Sequence, residues 1–133
     1  MGSDIDGKTL GVCRGYVNAD IIPGKFRLGS AECHIPYKLK EHKLTKNFEV
    51  LTLPKPQMFS WVTLKNGKIP TNAVPGGREN GGIPLYIGRC FTKFNGKNTR
   101  VPGKIQQGKM YLSFGGKEYT CPKFEVLVCN AKS

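Results

Sequence analysis

Three landmarks occur twice in this chain of 133 residues, in the same order. Pro23-Gly24-Lys25, Lys40-Glu41-His42 and Phe48-Glu49-Val50-Leu51 return between 76 and 79 residues further on. Their second copies are Pro102-Gly103-Lys104, Lys117-Glu118-Tyr119 and Phe124-Glu125-Val126-Leu127. Upstream of each Pro-Gly-Lys, Leu10-Gly11-Val12-Cys13-Arg14 matches Leu85-Tyr86-Ile87-Gly88-Arg89. A repeat of this length means one supersecondary unit used twice, and it limits the folds available more than any local pattern does. Neither copy is long enough to bury a substantial core alone, so a core shared between them is expected.

The copies are not equal in extent. A lead-in of Trp61-Val62, Asn66-Gly67, Pro70 and Ala73-Val74-Pro75-Gly76-Gly77 precedes the second, while only Met1 to Lys8 precede the first. Boundaries follow from the prolines of Leu53-Pro54-Lys55-Pro56. They give a first, N-terminally trimmed repeat over 1–53, a Pro-rich linker over 54–58 and a second repeat over 59–133, all in one compact unit. The 17 glycines and 9 prolines argue against a helical bundle. Turn-formers recur every few residues, as short strands need. Strands are predicted at 9–17, 31–37, 47–53, 59–64, 84–92, 109–114 and 122–129, with hairpin turns at Asn66-Gly67 and Gly115-Gly116. The class is all-β and antiparallel, with no helix.

Catalytic and metal-binding patterns are missing from the sequence. His34 and His42 lack neighbours at metal-ligand spacing, so neither metal nor cofactor is expected. Gly103 to Lys109 spells a phosphate-loop string, but Met110 follows where Ser or Thr is required, and no helix follows. Glu41 and Glu118 are copies of one position rather than an acid–base pair, and suit a fold residue or a doubled binding residue. A binding protein is therefore expected rather than an enzyme.

Each Pro-Gly-Lys reads as a rigid corner projecting an ammonium that donates to neighbouring hydroxyls, with a nearby carboxylate accepting from them. Asp4 and Glu79 are placed to supply that carboxylate, each six residues before its Leu-x-x-x-Arg strand. Composition alone supports only turn lysines in weak surface ion pairs. The formal charge of +12 raises anionic partners, but the lysines are spread without runs, and no specific nucleic-acid face is expected. Five cysteines, an odd number, and no visible signal segment predict reduced thiols and a cytoplasmic or vesicular location, with unconventional secretion as a further route.

The combined string resembles the DM-nine repeat family. It runs from Trp61-Val62 through Asn66-Gly67-x-x-Pro70-x-x-Ala73-Val74 and Leu85-Tyr86-Ile87-Gly88-Arg89 to Pro102-Gly103-Lys104, Gly115-Gly116-Lys117-Glu118 and Phe124-Glu125-Val126-Leu127. The resemblance implies two tandem repeats packed about a pseudo-twofold axis in a β-prism or sandwich-like fold. It also implies a lectin that binds mannose-type glycans in immune or host–pathogen recognition. Carried over by position, its binding residues are Asp4 with Lys25 and Glu79 with Lys104. Asp20 adds an acidic residue before the first Pro-Gly-Lys, where the second copy has Thr99. Family lectins dimerise, and the trimmed first repeat suggests a homodimer made by segment exchange. An acidic glycan or phospholipid surface is the alternative partner that the charge suggests, and an assembly protein without ligand is a third reading.

Overall fold

The computed structural model describes residues 2–3, 9–53, 55–64, 68–79, 81–94 and 96–130. The first repeat supplies β1 (Gly2–Ser3), β2 (Thr9–Val17), β3 (Asp20–Arg27), β4 (Cys33–Tyr37), β5 (Lys40–Leu44) and β6 (Phe48–Val50). The second supplies β7 (Phe59–Thr63), β8 (Pro75–Glu79), β9 (Ile83–Phe94), β10 (Lys97–Gln106), β11 (Lys109–Phe114), β12 (Lys117–Cys121) and β13 (Phe124–Cys129). One 3-10 turn, Pro56–Met58, lies between them. Every pairing is antiparallel, as expected of an all-β repeat.

The ladders show how the copies lock together. β1 pairs with β2 of its own repeat and with β10 of the other, and β8 likewise pairs with β9 and with β3. Closing through β2–β3 and β9–β10, these six strands form a barrel to which each repeat contributes three. The hairpins β4–β5 and β11–β12 extend from it and meet where Lys40 faces Lys117. The pseudo-twofold axis passes through that point. Gly2–Ser3 thus occupies in the first repeat the place that β8 occupies in the second, from within the same chain. Among the described residues the first copy has no counterpart of β7. That strand covers β13, whereas β6 is an edge.

The cores are exchanged reciprocally. Leu10 of the first repeat packs with Cys90, Val101, Ile105, Met110 and Val126 of the second, and Leu85 of the second packs with Cys13, Ile22, Cys33 and Ile35 of the first. Val12, Ile87 and Leu127 form a third cluster between them.

Two expectations are corrected. Cys13–Cys33 and Cys90–Cys121 are disulfides, and only Cys129 keeps its thiol. The odd count hid them because four of the five cysteines pair, one bridge within each repeat. The Pro-Gly-Lys triplets are not corners either. They lie mid-strand in β3 and β10. Their glycines allow a close crossing of backbones, since a Cβ on Gly24 would strike the carbonyl of His34 and one on Gly103 that of Tyr111. The strands β5, β8 and β12 also go beyond the predicted set. Gly115-Gly116 is the hairpin turn expected, with both residues at positive φ. Asn66-Gly67 falls outside the described residues.

Candidate functional site

Because Gly24 and Gly103 hold the backbone close, the lysines that follow them point inward. Lys25 and Lys104 are buried, with side chains 8% and 3% exposed. The sequence expectation of ammonium groups projecting into water is therefore reversed. Lys25 Nζ lies 3.7 Å from Glu41 Oε2, and Lys104 Nζ lies 3.2 Å from Glu118 Oε2. Each ammonium also faces rings: Phe114 at 4.2 Å for Lys25, and Tyr111 and Tyr37 at 5.4 and 5.5 Å for Lys104. Phe114 belongs to the opposite repeat from Lys25, as Tyr37 does from Lys104.

The glutamates cross over in the same manner. The Gly116 N–H donates to Glu41 Oε1 at 3.1 Å, and the Leu39 N–H donates to Glu118 Oε1 at 2.9 Å. Backbone bonds run alongside, from Glu41 N–H to the Gly116 carbonyl and from Glu118 N–H to that of Leu39. Each ion pair thus sits at the junction of the two hairpins and ties one repeat to the turn of the other. Burial alone would push the Glu41 carboxyl up. His34, Ser113, the Gly116 N–H and Lys25 outweigh it and hold Glu41 down at about 2.

Around Lys104 the polar groups continue toward the surface. Glu79, at the end of β8, is buried beside it. Burial raises the Glu79 pKa, and the carboxylates of Asp20 and Glu118 raise it further, against Lys104 and Gln106. Asp20 accepts a hydrogen bond from the Tyr37 hydroxyl at 3.0 Å. The result is one cluster of Asp20, Tyr37, Glu79, Lys104, Gln106 and Glu118, in which Asp20 and Gln106 are half-buried and the other side chains lie deeper. It offers a cation, an amide, a phenol and carboxylates in a small space. That mixture suits a ligand rich in neighbouring hydroxyls, each able to donate and accept.

The expected residues therefore sort differently across the two sites. Glu79 and Lys104 come together as the sequence implies. Asp20, expected with Lys25, lies five residues from it along β3, about 16 Å at the strand rise, and stands with Glu79 instead. The reason is the β3–β8 ladder, whose Ile21–Arg78 pairing sets Asp20 beside Glu79. Asp4 lies outside the described residues. Ser3 pairs with Arg100 as Arg78 pairs with Ile21, in keeping with the equal spacing of Asp4 and Glu79 from their strands. The first site holds His34 where the second has Tyr111. Its ring lies between Glu41 (3.5 Å) and Glu32 (3.4 Å). Glu41, Glu118 and Tyr37 carry no mark in the sequence beyond the recurrence of Lys-Glu in both copies.

The DM9 repeat model matches residues 4–110, which is most of the chain. The chain belongs to the DM9 repeat family. No curated protein matches it. The matched span reaches from the start of the first repeat to the beginning of β11, so it includes both Pro-Gly-Lys strands, Asp20 and Glu79.

Proposed function

We propose that this DM9 repeat protein is a non-enzymatic, lectin-like carbohydrate-binding protein that recognises mannose-type glycans, with a role in immune or host–pathogen recognition. The observation that carries the reading is the convergence of Asp20, Tyr37, Glu79, Lys104 and Gln106 at the seam between the repeats. In this reading vicinal hydroxyls of the sugar donate to Asp20 and Glu79 and accept from Gln106 and Lys104. The Lys25–Glu41 pair is its pseudo-symmetric partner. Shallow sites of this kind bind weakly one at a time, and affinity comes from several acting together. Homodimerisation through the uncovered β6 edge would double the number of sites. The two disulfides favour the vesicular or secreted end of the expected locations over the reducing cytosol.

Burial of both lysines supports a second reading, in which the Lys–Glu pairs serve only to join the repeats. A glycan array at two salt concentrations separates the readings, comparing the intact protein with Asp20→Asn and Glu79→Gln. On the lectin reading, mannose-rich signal survives salt and drops in both variants while the melting temperature holds. Signal that is unchanged in both variants, or absent from the intact protein, leaves the joining role alone.

A further inference from the structure

The second repeat carries a feature that its partner lacks. Between Glu79 and Glu118 there is no carboxylate, while Arg89, Lys93, Lys97, Arg100, Lys104, Lys109 and Lys117 all fall in that span. One of these cations, Arg100, lies at a groove where β9, β10, β13 and β7 run side by side, and Lys123, from beyond that span, joins it there. Thr63, Phe91, Asn98, Arg100 and Lys123 line it, and among the described residues it contains no acidic side chain. The ladders fix the arrangement: Phe91 pairs with Arg100 on one side, and its N–H donates to the Lys123 carbonyl on the other. The backbones of Arg100 and Lys123 therefore flank that of Phe91, roughly 10 Å apart across two strand spacings.

Phe91 is 38% exposed, unusually open for a phenylalanine, and the Arg100 guanidinium lies over it at 5.2 Å. Among the described residues neither Arg100 nor Lys123 makes an ion pair. Glu125, two residues along the chain from Lys123, is held by Arg89 at 2.6 Å, and Trp61 stacks on that guanidinium at 4.5 Å.

Pseudo-symmetry separates what the fold needs from what this groove adds. The positions equivalent to Phe91, Arg100 and Lys123 are Tyr16, Ile21 and Asn47, since Tyr16 pairs with Ile21 and donates its N–H to the Asn47 carbonyl. The aromatic is kept in both repeats, but the cations belong to the second alone.

We propose that this groove is a second ligand site, separate from the Lys104 cluster, and that it takes an acidic sugar bearing a sulfate ester or a carboxylate. Phe91 offers a flat apolar surface for the C–H face of a pyranose ring. Arg100 offers a planar fork for an oxyanion, Lys123 a point charge at the far side, and Thr63 and Asn98 neutral partners for hydroxyls. Two cations match one or two anionic substituents. A nucleic-acid backbone, which draws its affinity from many phosphate contacts, fits less well.

The test uses the first repeat as its guide. The variant Arg100→Ile/Lys123→Asn installs the residues that the first repeat holds at the equivalent positions, and a thermal melt verifies that it folds. The control Lys46→Gln/Lys55→Gln removes the same charge from exposed sites elsewhere. Titrations use a sulfated oligosaccharide, a sialylated one and a neutral mannose oligosaccharide. Affinity for at least one of the acidic sugars is expected to fall about tenfold or more in the groove variant and to change little in the control. Which sugar responds identifies the anionic group. Mannose binding is expected to be unaltered, so a failure of the mannose reading does not touch this one. Equal losses in variant and control would reduce the effect to net charge and overturn the proposal. So would the absence of acidic-sugar binding, or a single-stranded oligonucleotide that binds more tightly than either sugar and depends on the same two residues.

Discussion

Lys104 shows how strongly burial redefines a residue. In sequence it is a lysine after Pro-Gly, in a chain rich in surface lysines. In the fold its side chain is 3% exposed and its ammonium is 3.2 Å from a carboxylate that is itself buried. Buried ion pairs add little net stability, but removing one member leaves an uncompensated charge. Lys104→Ala is therefore expected to cost about 3–5 kcal/mol, and the joint replacement Lys104→Met/Glu118→Leu much less. Chemical denaturation of the two variants measures this directly. The two glutamates with displaced pKa values act in opposite directions. Glu41 is depressed from 4.5 to about 2, so its contribution is present above its ordinary pKa and is lost as pH falls toward 2. That contribution is on the order of 2 kcal/mol once solvent screening is allowed for. Glu79 is raised, so its contribution is present at acid pH and lost as pH rises through its folded pKa. Glu79→Gln is thus expected to leave stability at neutral pH unchanged or improved while weakening sugar binding. Stability curves against pH for Glu41→Gln and Glu79→Gln, read beside the sugar affinity, check both signs. None of this was legible in the sequence, where charge type is visible and burial is not. What was legible was recurrence. Lys25 and Lys104 could be singled out because both copies keep them, and Glu41 and Glu118 bore the same mark.

At the scale of strands and hairpins, the two repeats reach equal packing by different covalent means. In the first, Cys13 bridges to Cys33, while Gly15 makes room for Leu44, whose side chain occupies the space of a Cβ. In the second, the positions matching Cys13 and Cys33 are Gly88 and Met110, and the Met110 side chain occupies the space of a Cβ on Gly88. The bridge there joins Cys90 to Cys121, which match Gly15 and Leu44. Each of two neighbouring places is thus filled once by a disulfide and once by a glycine with a long side chain above it. Two outcomes are expected. Gly15→Cys/Leu44→Cys should form a third bridge on the pattern of Cys90–Cys121, detectable by mass after thiol alkylation. Serine at Cys90 and Cys121 should cost about 3–4 kcal/mol for a loop of this length. The disulfides escaped the sequence reading because aligned cysteines do not coincide between the copies. The Pro-Gly-Lys strands escaped it for a separate reason. Pro followed by Gly usually ends a strand, but here Gly24 and Gly103 serve a close backbone crossing. Gly103→Ala is accordingly expected to destabilise by about 1–3 kcal/mol, by forcing the Tyr111 carbonyl away. A denaturant midpoint measures that too.

As a whole, the molecule is two repeats that finish one another. Leu10 and Leu85 pack into each other's cores, β1 and β8 add to the opposite repeat's Pro-Gly-Lys strand, and Glu41 and Glu118 bond to the opposite repeat's turn. The repeat itself and the all-β class could be read from residue order, because they depend on spacing and composition alone. The sharing of sites could not, since it depends on which strand of one copy lies beside which strand of the other. Asp20 is the clearest case: the family resemblance implied that it stands with Lys25, and the β3–β8 ladder sets it beside Glu79. That sharing is best tested by a double-mutant cycle on mannose-oligosaccharide affinity in the intact protein, using the mild substitutions Asp20→Asn, Glu79→Gln and Glu41→Gln. If the cluster spans the repeats, Asp20 and Glu79 will be coupled by roughly 0.5 kcal/mol or more, while Asp20 and Glu41 will be additive. Coupling of Asp20 to Glu41 with none to Glu79 would contradict the inter-repeat site and return Asp20 to its own repeat's lysine.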